Sequence, residues 1–351
     1  MADGGAKKKT ATTPREKLGG RMPTMSDVAR LAGVTAMTVS RALRTPEKVS
    51  PKTISKVQMA VRNLGFVPNY AARSLVSRRS HIVVALFPTV LNSVFSGTIE
   101  ALSRALSAKG YHLLLGDTEF KIQTEEALLS SFIGWRPAGI IVTGTEHTVG
   151  TRAMLENSPA PVVELWSLPR RPFDHAVGFS NYDATFRLTE AIHSWGYRRI
   201  ALMYLDVPDN DRTTDRRAGY RKAVVTLGLP QDPLLEVRAG FSTRAGRDGL
   251  RRLLHHRPNV DAVLCTSDTL AIGALMEALR LGMRVPDDIA ITGFGDVELA
   301  AELTPSLTTV HLPREEIGCR TADVILRRIE GSYDGPAVID CGYHIVRRES
   351  A

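Results

Sequence analysis

The chain contains 351 residues, of which 43% are hydrophobic and 23% are charged, so its composition excludes wholesale disorder and fits two or three packed units. No run of about 18 apolar residues occurs, so the sequence offers no candidate transmembrane helix. The first 23 residues lack an apolar segment, and we therefore expect no secretory signal peptide and a cytoplasmic protein. Cys265, Cys319 and Cys341 are odd in number and widely spaced, which favours buried or inert thiols over a disulfide framework or a zinc site.

The positive charge is concentrated near the N-terminus. Within a formal net charge of +8, residues 1–80 hold 16 Lys and Arg against 4 Asp and Glu, whereas the remainder holds 29 against 33. A basic head on a mildly acidic body is typical of a nucleic-acid-binding module joined to another domain. Charge alone leaves open a merely solvated basic surface. A membrane-surface role is less favoured, because the segment lacks an amphipathic stripe of large apolar residues.

Two short helices are predicted after a flexible leader, residues 1–23, that is poor in large apolar side chains. Ser26 is a suitable N-cap for the first helix, and Gly33 can end it. Thr35 can cap the second helix, predicted over Ala36–Leu43. The two helices are thus joined by a tight turn that contains a glycine.

A third helix completes the predicted head, residues 24–68. Ser50 and Pro51 form an N-cap followed by a favourable first helical residue, and Gly65 is a suitable stop. The apolar positions expected to face inward are Ile54, Val57, Val61 and Leu64. A short basic linker, residues 69–80, follows.

From residue 81 to residue 351 the sequence alternates between apolar strands and amphipathic helices. The predicted strands are Ile82–Phe87, His112–Leu115, Gly139–Thr143, Val162–Trp166, Ile200–Leu205, Ala262–Thr266 and Ile289–Gly293. The predicted helices are Ser96–Lys109, Thr124–Gly134, Ala184–Trp195, Arg217–Leu227, Ser242–His255 and Leu270–Leu281. Near-continuous apolar strands between helices indicate parallel sheets covered on both faces. Because about 270 residues exceed one compact sheet, we expect an α/β body of two doubly wound parallel-sheet lobes.

The head carries the sequence Met25–Arg41, MSDVARLAGVTAMTVSR, followed by VSPKT at 49–53, GFVPN at 65–69 and AARSL at 71–75. This pattern closely resembles the helix-turn-helix of the lactose/galactose repressor family of bacterial transcription regulators. The resemblance continues in the body, with RAGY at 217–220, SDTLAIGA at 267–274 and GFGD at 293–296. Details of the head and VVEL at 162–165 are similar to the gluconate-repressor branch. The resemblance implies lobes of periplasmic-binding-protein type and a repressor released from operator DNA by a small effector.

The second helix of the head is the candidate DNA reader, because a helix fits a major groove about 12 Å wide. Slender side chains in its first turn can approach base edges, and Arg41 can bond a guanine bidentately. Helix N-termini and hydroxyl groups can meet phosphates. The predicted DNA-contact residues of the head are Ser26, Thr35, Ala36, Met37, Thr38, Ser40 and Arg41. The alternative is a three-helix bundle whose polar face is only solvated.

The linker is the second candidate DNA-contact element. In the family that the chain resembles, this segment forms a hinge helix on the operator, pairs with its twin and inserts a leucine into the minor groove. The matching residue here is Leu75, accompanied by Asn69, Ala72 and Arg73. A plain flexible linker is the alternative, since an exposed leucine is ordinary by itself.

Two lobes of parallel sheet place a ligand at the carboxyl ends of their strands. The candidates at such positions are Asn92, Phe95, Trp166, Arg216, Phe241, Asp268 and Phe294, together with Ser93. The resemblance matches Arg216, Phe241 and Asp268 to effector-contacting residues most clearly. Their types suit a polyol, because a carboxylate accepts hydroxyl bonds, a guanidinium donates in a fork and aromatic faces cover C–H surfaces.

Each of these cleft residues also has an ordinary structural interpretation. Asp268 could cap the helix that follows it, Arg216 could be solvated, and Phe241 or Trp166 could belong to the core. Arg216 itself is expected between a strand and the helix that it precedes. A sugar acid such as gluconate suits Arg216 best through carboxylate pairing. A neutral sugar or a nucleobase remains an alternative ligand.

Two other functional classes share parts of this pattern. An enzyme is disfavoured because the chain contains no GxGxxG, no GxxxxGK[ST], no GxSxG and no HExxH motif. A secreted sugar receptor would share the lobes but would have no use for the basic head. No cofactor is expected. The absence of leucine heptads after the last strand predicts a homodimer rather than a tethered tetramer.

Overall fold

The computed structural model describes residues 21–67, 80–90 and 93–351. The chain divides into two compact units, Met1–Arg78 and Arg79–Ala351, which we call the head and the body. The predicted site residues that lie outside the described residues are Asn69, Ala72, Arg73, Leu75 and Asn92.

The described part of the head folds into short helices, as predicted. These are α1 (Met25–Ala32), α2 (Ala36–Arg44) and α3 (Pro51–Leu64), with a 3-10 turn at Pro46–Lys48. The side chains of Thr35 and Ser50 accept hydrogen bonds from backbone N–H groups three residues on, so both act as N-caps. Gly33 ends α1 with a φ of 66°, in the left-handed region that glycine adopts without strain.

The predicted cap of the first helix is wrong by two residues. Thr24, not Ser26, is the N-cap of α1. Its side chain accepts a hydrogen bond from the Asp27 backbone N–H, and the Asp27 carboxylate accepts one from the Thr24 N–H at 2.9 Å. This reciprocal pair satisfies two otherwise free donors, which a cap at Ser26 would not do. Ser26 therefore lies inside α1, where it is exposed.

A small apolar core joins the three helices of the head. Val28, Val39 and Val57 are completely buried there. Of the four positions predicted to face inward from α3, only Val57 is buried, and the other three are half-buried. Ala60 and Phe66 are buried and complete this core.

Parallel sheets form the body, which confirms the predicted α/β architecture. The strands among the described residues are β1 (Ile82–Phe87), β2 (His112–Asp117), β3 (Gly139–Thr143), β4 (Val162–Leu165), β5 (His175–Gly178), β6 (Ile200–Leu205), β7 (Glu236–Ala239), β8 (Ala262–Cys265), β9 (Ala290–Thr292), β10 (Thr309–His311), β11 (Val338–Asp340) and β12 (His344–Val346). One parallel sheet has the order β11-β5-β4-β3-β1-β2, and the other has the order β7-β6-β8-β9. A third sheet consists of two antiparallel strands, β10 and β12.

Helices pack on both sheets and define two lobes. They are α4 (Ser93–Ala108), α5 (Ile122–Ile133), α6 (Val149–Glu156), α7 (Asn181–Ser194), α8 (Asp211–Thr226), α9 (Thr243–His256), α10 (Asp268–Arg280), α11 (Leu299–Glu302) and α12 (Arg314–Glu330). The N-lobe contains the six-stranded sheet, where α4 packs on α12 and α5 on α6. The C-lobe contains the four-stranded sheet, where α7 packs on α8 and α9 on α10.

The chain passes between the two lobes three times. It enters the C-lobe after β5, returns to the N-lobe after β10 and crosses again between β11 and β12. The strands missed from sequence, β5, β7, β10, β11 and β12, are three or four residues long, too short to show a period. The unpredicted helix α12 begins after Pro313 without a side-chain cap, so the usual start signal is missing.

Candidate functional sites

The N-terminal half of α2 presents an exposed face on the head. Thr35, Ala36, Met37 and Arg41 are exposed, and 64% of Met37 is accessible. The Thr35 and Thr38 hydroxyl groups lie 3.0 Å apart in a hydrogen bond. This arrangement fixes the start of α2 while leaving side chains free to reach a groove, as the predicted DNA reader requires.

A cavity in the body brings together the six described residues that the sequence singled out for the effector. It is lined by Phe95, Trp166, Arg216, Phe241, Asp268 and Phe294. The N-lobe supplies the first two of these residues and the C-lobe supplies the other four. The space between these side chains is about 540 Å³ when the solvent at its open mouth is included. It lies where the carboxyl ends of the strands in the two lobes meet.

Arg216 is held in place by three contacts. Its Nε donates to the Asn181 Oδ1 at 2.8 Å, and its Nη1 donates to the Thr266 carbonyl at 2.7 Å. Its guanidinium lies 3.8 Å from the centre of the Phe294 ring, in a cation–π contact. Burial, followed by the positive charge of Arg212, lowers the pKa of Arg216 to about 9, so this side chain still carries its charge at neutral pH.

The prediction that Arg216 precedes its helix is wrong. Helix α8 begins at Asp211, because the Asn210 side chain caps it by accepting from the Thr213 N–H. Arg216 therefore lies in the second turn of α8. The helix and its three contacts therefore fix the position of the Arg216 side chain.

Asp268 lies on the floor of the cavity and is 1% exposed. It is the first residue of α10, whose N-cap is Ser267. One carboxylate oxygen accepts from the Thr309 hydroxyl at 2.6 Å, and the other accepts from the Val297 N–H at 2.8 Å. Burial raises the pKa of Asp268, despite these hydrogen bonds. A Cβ at Gly293 would meet an Asp268 oxygen at 2.1 Å, so glycine is required there.

Aromatic rings enclose the remaining cavity walls. Phe95 contacts Trp166 edge-on, with ring centroids 4.8 Å apart. Phe120 of the N-lobe lies 5.5 Å from Phe241 of the C-lobe, so these two rings meet across the cavity. Within the described part of the chain, the buried Trp166 Nε1 has no hydrogen-bond partner. A buried indole N–H normally has an acceptor, which a ligand hydroxyl could supply.

Sequence reasoning missed Arg212, a second guanidinium that lines the same cavity. Its Nη1 donates to the Asp211 Oδ1 at 2.9 Å. The signal was the Asn210 cap at a strand exit, which places Arg212 in the first turn of α8.

Asp211 ties the C-lobe to the N-lobe beside this cavity. Its Oδ2 accepts from the Ser167 hydroxyl at 2.7 Å, and from the Thr145 backbone N–H and hydroxyl at 3.0 and 3.1 Å. Burial acts to raise the pKa of Asp211, but Arg212 and the hydroxyl donors outweigh it and the pKa lies below its ordinary value. We call Asp211, Thr145 and Ser167 the latch.

The cavity combines guanidinium donors, one buried carboxylate and aromatic faces, groups that are able to contact hydroxyl and carboxylate groups of a ligand. Among the residues that the structure describes, no group of three or more His, Cys, Asp or Glu is placed to hold a metal ion. None of the helices described in the structure has the length and apolarity needed to span a bilayer.

Two family models match the chain. Residues 24–69 match the bacterial regulatory proteins of the lacI family, and residues 189–351 match a periplasmic binding protein-like domain. These ranges fall on the head and on the body respectively.

Relatives of known class match almost the whole chain. The HTH-type transcriptional regulator GntR of Escherichia coli K12 is 37% identical over 92% of this chain and 97% of its own length. The GntR of Pseudomonas aeruginosa is 37% identical over 98% of both chains. The crystal structure of a LacI-family transcriptional regulator from Silicibacter pomeroyi is 32% identical, has a TM-score of 0.87, and aligns over 93% of this chain and 99% of its own.

Proposed function

The chain belongs to the LacI family of bacterial regulatory proteins, and we propose that this DNA-binding transcriptional repressor is released from its operator by a sugar acid bound between the two lobes of its body. The observation that carries the proposal is the cavity, whose lining combines Arg212 and Arg216 with one buried carboxylate, Asp268, and aromatic rings. A guanidinium pairs with a carboxylate group, while Asp268 accepts from hydroxyl groups. Gluconate has both kinds of group and is the preferred ligand.

The head supplies the DNA contacts in this proposal. The exposed first turn of α2 enters the major groove, and Arg41 contacts a guanine edge. The proposed contacts are Ser26, Thr35, Ala36, Met37, Thr38, Ser40 and Arg41, with Asn69, Ala72, Arg73 and Leu75 of the linker at the minor groove. Insertion of Leu75 would kink the duplex and allow further contacts. A homodimer in the cytoplasm, with one head on each half-site, fits this mode of binding.

Release of the operator follows from a difference in the affinity of the ligand for two arrangements of the lobes. A ligand shifts an equilibrium between lobe arrangements only by the difference in its affinity for them. Gluconate would contact both lobes at once in the cavity, so it favours the arrangement in which they are close together. That arrangement would alter the spacing of the two linkers in the dimer and weaken the hinge pairing on DNA.

The test is an operator titration with the full-length protein. A labelled operator duplex is followed by fluorescence anisotropy while gluconate, glucose or hypoxanthine is added. We expect gluconate to release the operator and to raise the melting temperature of the protein, and the two other compounds to do neither. Release by glucose or hypoxanthine instead would replace the sugar acid with a neutral ligand. Operator affinity and melting temperature unmoved by gluconate would overturn the ligand assignment.

A further inference from the structure

Arg212 and Arg216 line the same cavity but differ in the donors they leave free. The Arg216 Nε and Nη1 are bonded to Asn181 and to the Thr266 carbonyl, and its flat face lies on Phe294. Arg216 is thus largely occupied by the protein itself.

Arg212 keeps more of its donors available. Among the described residues its hydrogen bonds are limited to the one from Nη1 to Asp211, so Nε and Nη2 have no protein partner there. Its side chain is 10% exposed, and it lines the cavity that also contains Arg216 and a neighbouring cavity at the lobe boundary. Nε and one terminal nitrogen of a guanidinium form a fork that matches the two oxygens of a carboxylate.

The pairing with Asp211 does not by itself account for Arg212. Asp211 already accepts three hydrogen bonds on its Oδ2 from Thr145 and Ser167, and Arg212 engages only its Oδ1. A bond from one terminal nitrogen holds the guanidinium in position and leaves the rest of it to the cavity. Asp211 is thus a positioning residue for Arg212.

We propose that Arg212, rather than Arg216, binds the carboxylate of the effector and sets the preference of the cavity for anionic over neutral sugars. Arg216 then supplies its remaining nitrogen to hydroxyl groups and holds Asn181 and Phe294 in the cavity wall. The inference rests on the proposed function, because it assumes that the effector is a sugar acid. It also links the ligand to the latch, since the residue that holds Arg212 is the residue that bonds to the N-lobe.

The experiment measures gluconate and its neutral isostere gluconamide by calorimetry on the full-length protein. In the wild type we expect gluconate to bind about 100-fold more tightly than gluconamide, as for a buried charge pair. Arg212→Gln should reduce this ratio to less than about tenfold, mainly by weakening gluconate, and Arg212→Lys should give an intermediate ratio. Arg216→Gln should weaken both compounds and leave their ratio close to that of the wild type.

A matched control is Arg217→Gln, on the same helix. Arg217 pairs with Glu236 and lines a different surface of the C-lobe, so the control should bind both compounds as the wild type does. Thermal melts confirm folding, and Arg212→Met replaces the Gln variant if that variant does not fold.

Three results would overturn the proposal. These are a ratio unchanged in Arg212→Gln, a ratio lost in Arg216→Gln alone, and a wild type that binds neither gluconate nor the stereoisomeric acids galactonate and idonate. Gluconate bound through Arg212 without release of the operator would leave the inference standing and overturn the proposed mode of regulation.

Discussion

The head and the cavity between the lobes differ in how their polar groups are bonded and exposed. In the head, the hydroxyl groups of the exposed Thr35 and the half-buried Thr38 bond to each other within one turn. In the cavity, Asp268 is buried and Arg216 is half-buried, and both bond to residues 35 to 50 positions away in sequence. An exposed face costs little free energy on folding, because it stays in water. It gains most of its binding energy from contacts with phosphates and bases of DNA. When a substitution removes one polar side chain from a buried cavity, its former partners stay unpaired. Substitutions in the cavity should therefore cause the larger losses of binding free energy.

The largest effect is expected at Arg216. Arg216→Ala removes two hydrogen bonds and the cation–π contact, and leaves Asn181 and the Thr266 carbonyl without their donor. We expect gluconate affinity to fall by about 3 kcal/mol. Calorimetry measures the loss, with Arg217→Ala as the control on the same helix. Gluconate affinity within twofold of the wild type would remove Arg216 from the cavity's binding function.

A substitution in the head should cause a smaller loss of binding free energy, and the loss should depend on the base sequence of the DNA. Arg41 is exposed on α2, and Arg41→Ala is expected to cost about 1–3 kcal/mol on the operator and to relax the preference at one base pair. Anisotropy titrations with the operator and with a random duplex measure both quantities. An equal loss on the two duplexes would identify Arg41 as a phosphate contact instead.

The same contrast governs the carboxylates. In the head, hydrogen bonds from Arg21 and Thr24 hold the pKa of Asp27 well below its ordinary value. In the N-lobe, burial raises the pKa of Glu164 to about 7, although the Phe173 N–H donates to it at 2.8 Å. Local hydrogen bonds dominate in the first case and loss of hydration dominates in the second.

Glu164 should therefore make the stability of the body depend on pH. The folded protein retains a proton on Glu164 up to about pH 7, whereas the unfolded chain releases it near pH 4.5, so stability falls as pH rises through this window. The free energy of unfolding of the wild type should fall by about 2 kcal/mol between pH 5 and pH 8 because of Glu164, and the Glu164→Gln variant should lack this decrease. Urea unfolding at both pH values measures it, with exposed Glu156→Gln as control. Equal pH dependence in wild type and Glu164→Gln would contradict the assignment.

The head was predictable from sequence because its signals are local. The caps at Thr35 and Ser50 and the stop at Gly33 each act within about one helical turn, and all three are present. The error at Ser26 is also local, since the capping box with Asp27 favours Thr24. The two-lobed α/β class followed from strand and helix periods.

The cavity was predictable only as a set of residue types at strand exits. The bonds from Arg216 to Asn181 and from Thr309 to Asp268 join distant segments, and no sequence spacing shows them. The three passages between lobes are equally hidden, because each is a few residues long. The sequence pattern does not indicate Arg212, because α8 begins at Asp211 rather than at the predicted Arg217.

The smallest effect is expected at the latch. Ser167→Ala removes the 2.7 Å hydrogen bond to Asp211 across the lobe boundary but leaves the two from Thr145. We expect the close lobe arrangement to lose about 1 kcal/mol and gluconate to bind about fivefold more weakly. Calorimetry measures this, with Ser194→Ala, at an exposed serine of α7, as the control. Unchanged gluconate affinity would separate the latch from ligand binding.

A crystal structure of the full-length protein with gluconate shows where the ligand binds and which side chains hold its carboxylate. We expect gluconate in the cavity between the lobes, with its carboxylate within hydrogen-bonding distance of the Arg212 Nε and Nη2 and its hydroxyl groups on Asp268 and the Trp166 Nε1. Gluconate bound outside this cavity, or inside it with its carboxylate away from Arg212, would contradict this expectation.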